Sequence, residues 1–444
     1  MSARRIFSTL GAIAFAAACA KDPAPSTGTL SIVTGKETDA LTRAPLPARL
    51  LVSMRTGTAA PQTIADLVWP VSDFELGSLA TASQYSFTAE LRDASGVAVL
   101  RGETPAVSGA ELAAGGLTLL VGRVGEPMRP SAGLASPWPS PRVTALGRYA
   151  FVASPDGTSS ELYDFVALAA LKARTVLPRR PASIASADGA HVLLVDDAGA
   201  TLLDVGAGTS ADADLGGVVA TDLVGGSAIV GDDGTYLVGA ARTSGAATRA
   251  VLRLALDGTI RAVPLSTPRV GAFVAWAPGA GLVVGGGAPG AAIEILASGG
   301  ASFSASAASY GGSGGAAVAL GDGSVIVVGG VDEAGAPRGS ARLTLACGSA
   351  CTAMPLGESV DVASGAGFTG TTGNGFVVGT ATDGATVVLR VSGGAASTTV
   401  DVVPLRVPRH GGAPVSLGGG YVAILGGTDA SGVPVADVEI LTPP

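Results

Sequence analysis

The chain has 444 residues, of which 66 are Gly and only 14% are charged, and its formal net charge is −8. Ordinary domains carry about 25% charged residues and about 7% Gly, so this composition points to many short strands joined by tight turns, with no long amphipathic helices. Hydrophobic residues at 47% argue against disorder, and the acidic balance without a basic run argues against a nucleic-acid footprint or electrostatic attachment to anionic membranes.

Residues 1–18 have the layout of a signal peptide. Arg4 and Arg5 form a positive start, Ile6 to Phe15 an apolar stretch too short to span a bilayer, and Ala16-Ala17-Ala18 the small residues before a cleavage point. Cys19 follows directly. The string Ala16 to Cys19 resembles the lipobox of bacterial lipoproteins, which implies acylation of Cys19 and, with Ala20 after it, anchoring at the outer membrane of the cell envelope. The plainer alternative is a secretory signal with an incidental Cys. Arg4-Arg5-Ile6-Phe7 also resembles a twin-arginine signal, which leaves the export route open. Residues 19–28, rich in Pro, Ser, Thr and Gly, are expected to form a flexible tether behind the lipidated Cys.

Residues 29–126 are expected to form a small β-sandwich-like domain. Tyr85, Phe87, Ala89 and Leu91 alternate with polar residues, the period of a half-buried strand. A turn at Asp93 to Gly96 leads back through Val97 to Leu100 as a hairpin, and Arg49 to Met54 and Leu117 to Val124 are further strand candidates. Such a segment resembles immunoglobulin-like or transthyretin-like domains. Residues 127–140 are Pro-rich and unsuited to a central strand, so they are expected to be a linker.

From residue 141 to 444 the chain repeats. One apolar strand recurs as Tyr149 to Val152, His191 to Leu194, Thr235 to Val238, Gly281 to Val284, Val325 to Val328, Gly375 to Val378 and Val422 to Leu425, at steps of 42, 44, 46, 44, 50 and 47 residues. So constant a period marks a repeat architecture. Asp-Gly turns at Asp188, Asp233, Asp257, Asp322 and Asp383 separate the pieces into four short strands per unit. Sheets of that size bury both faces only by packing on each other, and seven close radially into a β-propeller. Pro408-Arg409, then Tyr421 to Gly427, then Asp437 to Leu441, echoed by Pro268-Arg269, Gly285-Gly286 and Glu294 to Leu296, resemble kelch repeats. The fold class is therefore all-β: a seven-bladed kelch-like propeller preceded by a small sandwich. The last unit ends before its outermost strand, and Leu117 to Val124 is the expected replacement.

Little in the sequence carries chemistry. In an exported chain Cys347 and Cys351, flanking a three-residue loop, are most simply a disulfide. The chain has two His, His191 and His410, too few for a His-rich metal centre. Arg142, Arg179, Arg269 and Arg409 each follow a Pro at a unit start, a repeat position that also invites comparison with the Arg cluster of sialidases. Asp196-Asp197, Asp212/Asp214 and Asp232-Asp233 lack EF-hand spacing and suit turns. No catalytic, cofactor or metal residue is assigned. The expected function is a membrane-anchored envelope scaffold binding protein or glycan on a propeller face; the alternatives are an enzyme acting on carbohydrate in the central channel, or a structural spacer.

Overall fold

A computed structural model describes residues 26–71, 73–241, 244–346, 353–356, 360–370, 373–394 and 397–443. The strand Gln84–Arg92 buries Tyr85, Phe87, Ala89 and Leu91 and leaves the residues between half-buried, as its alternation requires. It pairs with Arg49–Thr56 on one side and Ala98–Glu103 on the other within a six-stranded sheet. The hairpin turn is held by Asp93, whose carboxylate accepts from the N–H groups of Ser95 at 2.9 Å and Val97 at 3.0 Å. A second sheet, Asp73–Leu79, Ser26–Val33 and Leu117–Leu120, shares one apolar core with the first.

Three details here differ from expectation. Ser26–Val33 begins inside the segment read as tether, because it pairs with Asp73–Leu79. Gly109–Gly115 forms a short helix, fixed by a capping box in which Ser108 Oγ accepts from Glu111 N at 3.2 Å and Glu111 accepts from Ser108 N at 3.0 Å. Leu117 to Val124 is not one strand: Leu117–Leu120 lies parallel to Ser26–Val33, and Gly122–Arg123 pairs with Ala98–Glu103.

The remaining chain forms seven four-stranded antiparallel sheets among the described residues. Their innermost strands are Arg142–Leu146, Ser183–Ala185, Ser227–Gly231, Phe273–Ala277, Ala316–Ala319, Ser364–Thr369 and Ala413–Gly418. The recurring apolar strand is the second in every sheet and is almost wholly buried, for example Gly281–Gly285, Ser324–Val328 and Tyr421–Leu425. Packing on both faces explains why these strands do not alternate. Separate apolar clusters fill every gap between consecutive sheets. The last gap, where Tyr421, Ala423 and Leu425 meet Ala150, Val152 and Tyr163, closes the ring. The architecture is a β-propeller.

Ring closure corrects the expectation for Leu117 to Val124. The outermost strand of the seventh sheet is Pro127–Met128, paired with Glu439–Leu441 so that Pro127 faces Leu441 and Met128 faces Ile440. Leu117–Leu120 is already engaged elsewhere, and the chain reaches the sheet only after the Gly122–Arg123 pairing ends. Pro127 lacks an N–H, and an outer edge is where a strand tolerates that lack. The rest of the Pro-rich segment is tied down as well: Leu134 N donates to Ala436 O at 2.8 Å, and Trp138 O accepts from Gly427 N at 2.9 Å.

Salt bridges join the first two sheets to this seam. Arg129 pairs with Glu37 at 2.7 Å, Arg406 with Glu126 at 2.6 Å, and Lys36 with Asp437. Met128 is 2% exposed and packs with Leu120, Tyr421 and Ile440. Met128→Ala should therefore lower stability by about 2–5 kcal/mol, whereas Met354→Ala, at a residue 52% exposed, should leave the denaturation midpoint nearly unchanged. Urea melts of the two variants check this; equal midpoints would refute the seam.

Candidate functional site: the central channel

The inner strands surround a cavity of about 440 Å³. Its walls come from five sheets: Val143 to Ala145, Ser227 to Asp232, Val274 with Trp276, Gly365 to Gly370, and Pro414 to Ser416 with Gly418 to Gly420. The second and fifth sheets contribute nothing to the described lining, and glycines let the sixth lie close on the fifth. A Cβ at Gly367 would stand 1.8 Å from Ala317 O, so only Gly permits that approach. A similar device sets Trp276, whose ring lies 2.5 Å from where a Gly231 Cβ would be and stacks on Tyr236 at 5.8 Å.

The lumen is mostly apolar. Val230 is 53% exposed into it. Two hydroxyls of the lining are engaged by backbone: Thr235 donates to Ser186 O at 2.5 Å and Thr369 to Ala319 O at 2.9 Å. Asp232 is the single ionisable residue among the described residues of the lining. General acid–base catalysis uses side chains positioned to give or take a proton, and Asp232 is the one such carboxylate in the described lining. The nearby Asp233 is occupied, accepting from Tyr236 Oη at 2.9 Å and pairing with Arg253 at 2.9 Å. Burial pushes the Tyr236 hydroxyl well above its ordinary range, and the bond to Asp233 adds to that, so it stays protonated.

The Arg residues do not converge on the channel. Arg269 is wholly buried and pairs with Glu294 at 3.0 Å, while donating to Gly286 O at 2.8 Å and Ala292 O at 2.6 Å. Arg409 repeats the arrangement with Glu439 at 2.5 Å and the carbonyls of Gly426 and Asp437. Each Glu also accepts from two backbone N–H groups of the incoming connection, Ser266 and Thr267 for Glu294, Arg406 and Val407 for Glu439. The pair thus ties one sheet's third strand to the connection entering the sheet. Arg179 does similar work with Asp196 at 2.8 Å and Thr201 at 2.5 Å, and Arg142 is exposed.

His191 contacts Asp188 at 2.5 Å at a turn, and His410 is exposed with its backbone bonded to Thr428. The acidic pairs serve turns too: Asp196 accepts from Ala198 N and Gly199 N, and Asp214 from Gly216 N. Among the described residues no group of three His, Cys, Asp or Glu could hold a metal ion. Cys19, Cys347 and Cys351 lie outside the described residues. The channel residues Val230, Trp276 and Phe368 were not singled out from sequence, since an apolar inner strand reads like any other; the Gly-rich runs 365–370 and 418–420 were the available signal.

No family model and no curated protein matches the chain. Among solved structures it is similar to a streptogramin B lyase, with 12% identity and a TM-score of 0.41 over 70% of this chain and 95% of that one. A catalytically inactive virginiamycin B lyase from Staphylococcus aureus with quinupristin gives 13%, 0.41, 70% and 97%. YCF48 bound to D1 peptide gives 11%, 0.41, 70% and 94%. All three likenesses are remote, and the fold rests on the sheets themselves.

Burial alone would raise the Glu294 carboxyl, but the Ser266 and Thr267 N–H groups and the Arg269 guanidinium outweigh it and hold the group below its ordinary value of 4.5. The unfolded chain then binds this proton more readily, so the stabilisation is full above the ordinary value and is lost as pH falls through the folded one. Glu294→Gln should reduce stability at pH 7 and flatten the acid limb of a melting-temperature profile. Arg269→Ala, which strands a buried carboxylate, should cost about 3–5 kcal/mol. An unchanged acid limb in Glu294→Gln would contradict this assignment.

Proposed function

We propose that the chain is an envelope lipoprotein, anchored through Cys19 after removal of residues 1–18, whose seven-bladed, kelch-like propeller is a scaffold for binding protein or glycan. The observation that carries the scaffold reading is a closed ring of sheets whose described channel lining holds one ionisable side chain, Asp232. In this reading residues 26–126 form the membrane-proximal sandwich, Cys347 and Cys351 staple one blade, and the protein stands at the outer membrane.

Antiparallel order puts the connections of each sheet at two ends. At one end lie the tight turns after the inner strands, and there the sandwich makes contact, through Glu111 paired with Arg148 and Glu103 beside Gly419. At the other end lie longer connections such as 329–340 and 426–438, which carry the exposed Val331 and Val433. A rigid frame with variable loops is a recurrent basis for recognition, and this second face is the binding face in the present reading.

Two experiments test it. Cys19→Ala should move the protein from the membrane pellet to the soluble fraction and abolish an acylated N-terminal peptide in mass spectra; continued pelleting with no lipid mass would sink the anchor. Cross-linking in intact envelopes should capture a partner that Val331→Asp/Val433→Asp loses and Leu256→Asp, at a turn of the opposite end, retains. Equal capture by both variants would reject the chosen face.

A further inference from the structure

We infer that the central channel is a binding site for a compact, apolar small molecule carrying no negative charge. The inference goes beyond the scaffold reading and stands independently of the anchor and of the loop face. Its first support is size. A lumen of about 440 Å³ falls within the roughly 300–1,000 Å³ typical of small-molecule sites.

Its second support is the chemistry of the walls. Val143, Val230, Trp276, Phe368 and Val415, from five different sheets, line one space, with Val230 the most exposed and Trp276 and Val415 largely buried behind it. Val230, 53% exposed, is set on a fully paired inner strand and faces no protein neighbour that would cover it. Water against such walls is displaced favourably by an apolar solute. The indole N–H of Trp276 is buried without a hydrogen-bond partner, although indole N–H groups in protein interiors usually find one. Polar groups in the lining are the backbone of the Gly-rich runs 365–370 and 418–420 and the hydroxyl residues Thr144, Ser227 and Ser416.

Its third support is charge. The described lining holds no Lys, Arg or His, so nothing there offsets the desolvation of an anion. Asp232, at the end of the Ser227–Gly231 strand, adds a negative charge at one mouth, in a chain whose net charge is −8. A water-filled spacer channel would hold neither a neutral probe nor its anionic counterpart saturably, whereas a binding site of this lining holds the neutral one.

The test uses N-phenyl-1-naphthylamine and its sulfonated analogue, 8-anilino-1-naphthalenesulfonate, two fluorescent probes that share an aromatic body and differ by one anionic group. They are titrated into the full chain carrying Cys19→Ala in detergent-free buffer. The neutral probe should bind saturably at one site, at least tenfold more tightly than the sulfonate. Val230→Trp, which fills the lumen, should weaken the neutral probe tenfold or more, and Ala228→Phe on the same strand serves as the second lumen variant. Val402→Trp, at an outer-edge residue 63% exposed, should bind as the parent does. Melting temperatures near the parent's establish that the variants are folded. Absence of saturable binding, equal affinity for the two probes, or binding that both folded lumen variants leave intact would overturn the inference.

Discussion

A four-stranded sheet that is apolar on both faces has no stable life alone, and that constraint organises the ring. The second strands, such as Val192 to Val195 and Val325 to Val328, are buried throughout because each sheet lies between two others. Every gap must then be filled, and the clusters between consecutive sheets fill all of them, including the gap that joins last to first. An open arc would leave two such faces in water. Closure by Pro127–Met128 is therefore the step on which the whole array depends, and it ties the early chain to the C-terminal strand Glu439–Leu441.

Charged groups follow from the same architecture. The Arg269–Glu294 and Arg409–Glu439 pairs are buried because they sit where one sheet hands the chain to the next and where backbone N–H and C=O groups need partners. A buried pair is tolerable when further hydrogen bonds satisfy both ions, and here the carbonyls of Gly286 and Gly426 and the N–H groups of the incoming connections supply them. With arginines committed to these structural posts, the channel receives small residues, glycine backbone and a few apolar side chains. Its character is a by-product of where the cations went.

The recurring strand was legible because its spacing and apolar content are local properties, and each copy proved to be the second strand of a sheet. The Asp-Gly turns were legible for the same reason: Gly323 and Gly384 sit at φ of 78° and 88°, which other residues adopt reluctantly. The helix Gly109–Gly115 was missed because seven residues give too little periodicity to stand out, although Ser108 and Glu111 had the capping spacing. Leu117 to Val124 misled because its pattern suits any sheet, and only competition with Ser26–Val33 settled where its first half goes.

What the sequence by itself determined is the all-β repeat and the place of its recurring strand, since hydrophobic period, turn chemistry and repeat length are written in neighbouring residues. What only the tertiary structure decided is everything that depends on residues far apart meeting. The partnership of Met128 with Ile440, the burial of Arg409 against Glu439, and the gathering of Val143, Val230 and Phe368 around one lumen belong to this second class. The physical reason is that strand pairing and ring closure are choices among distant, nearly equivalent partners, and only the packed whole ranks them.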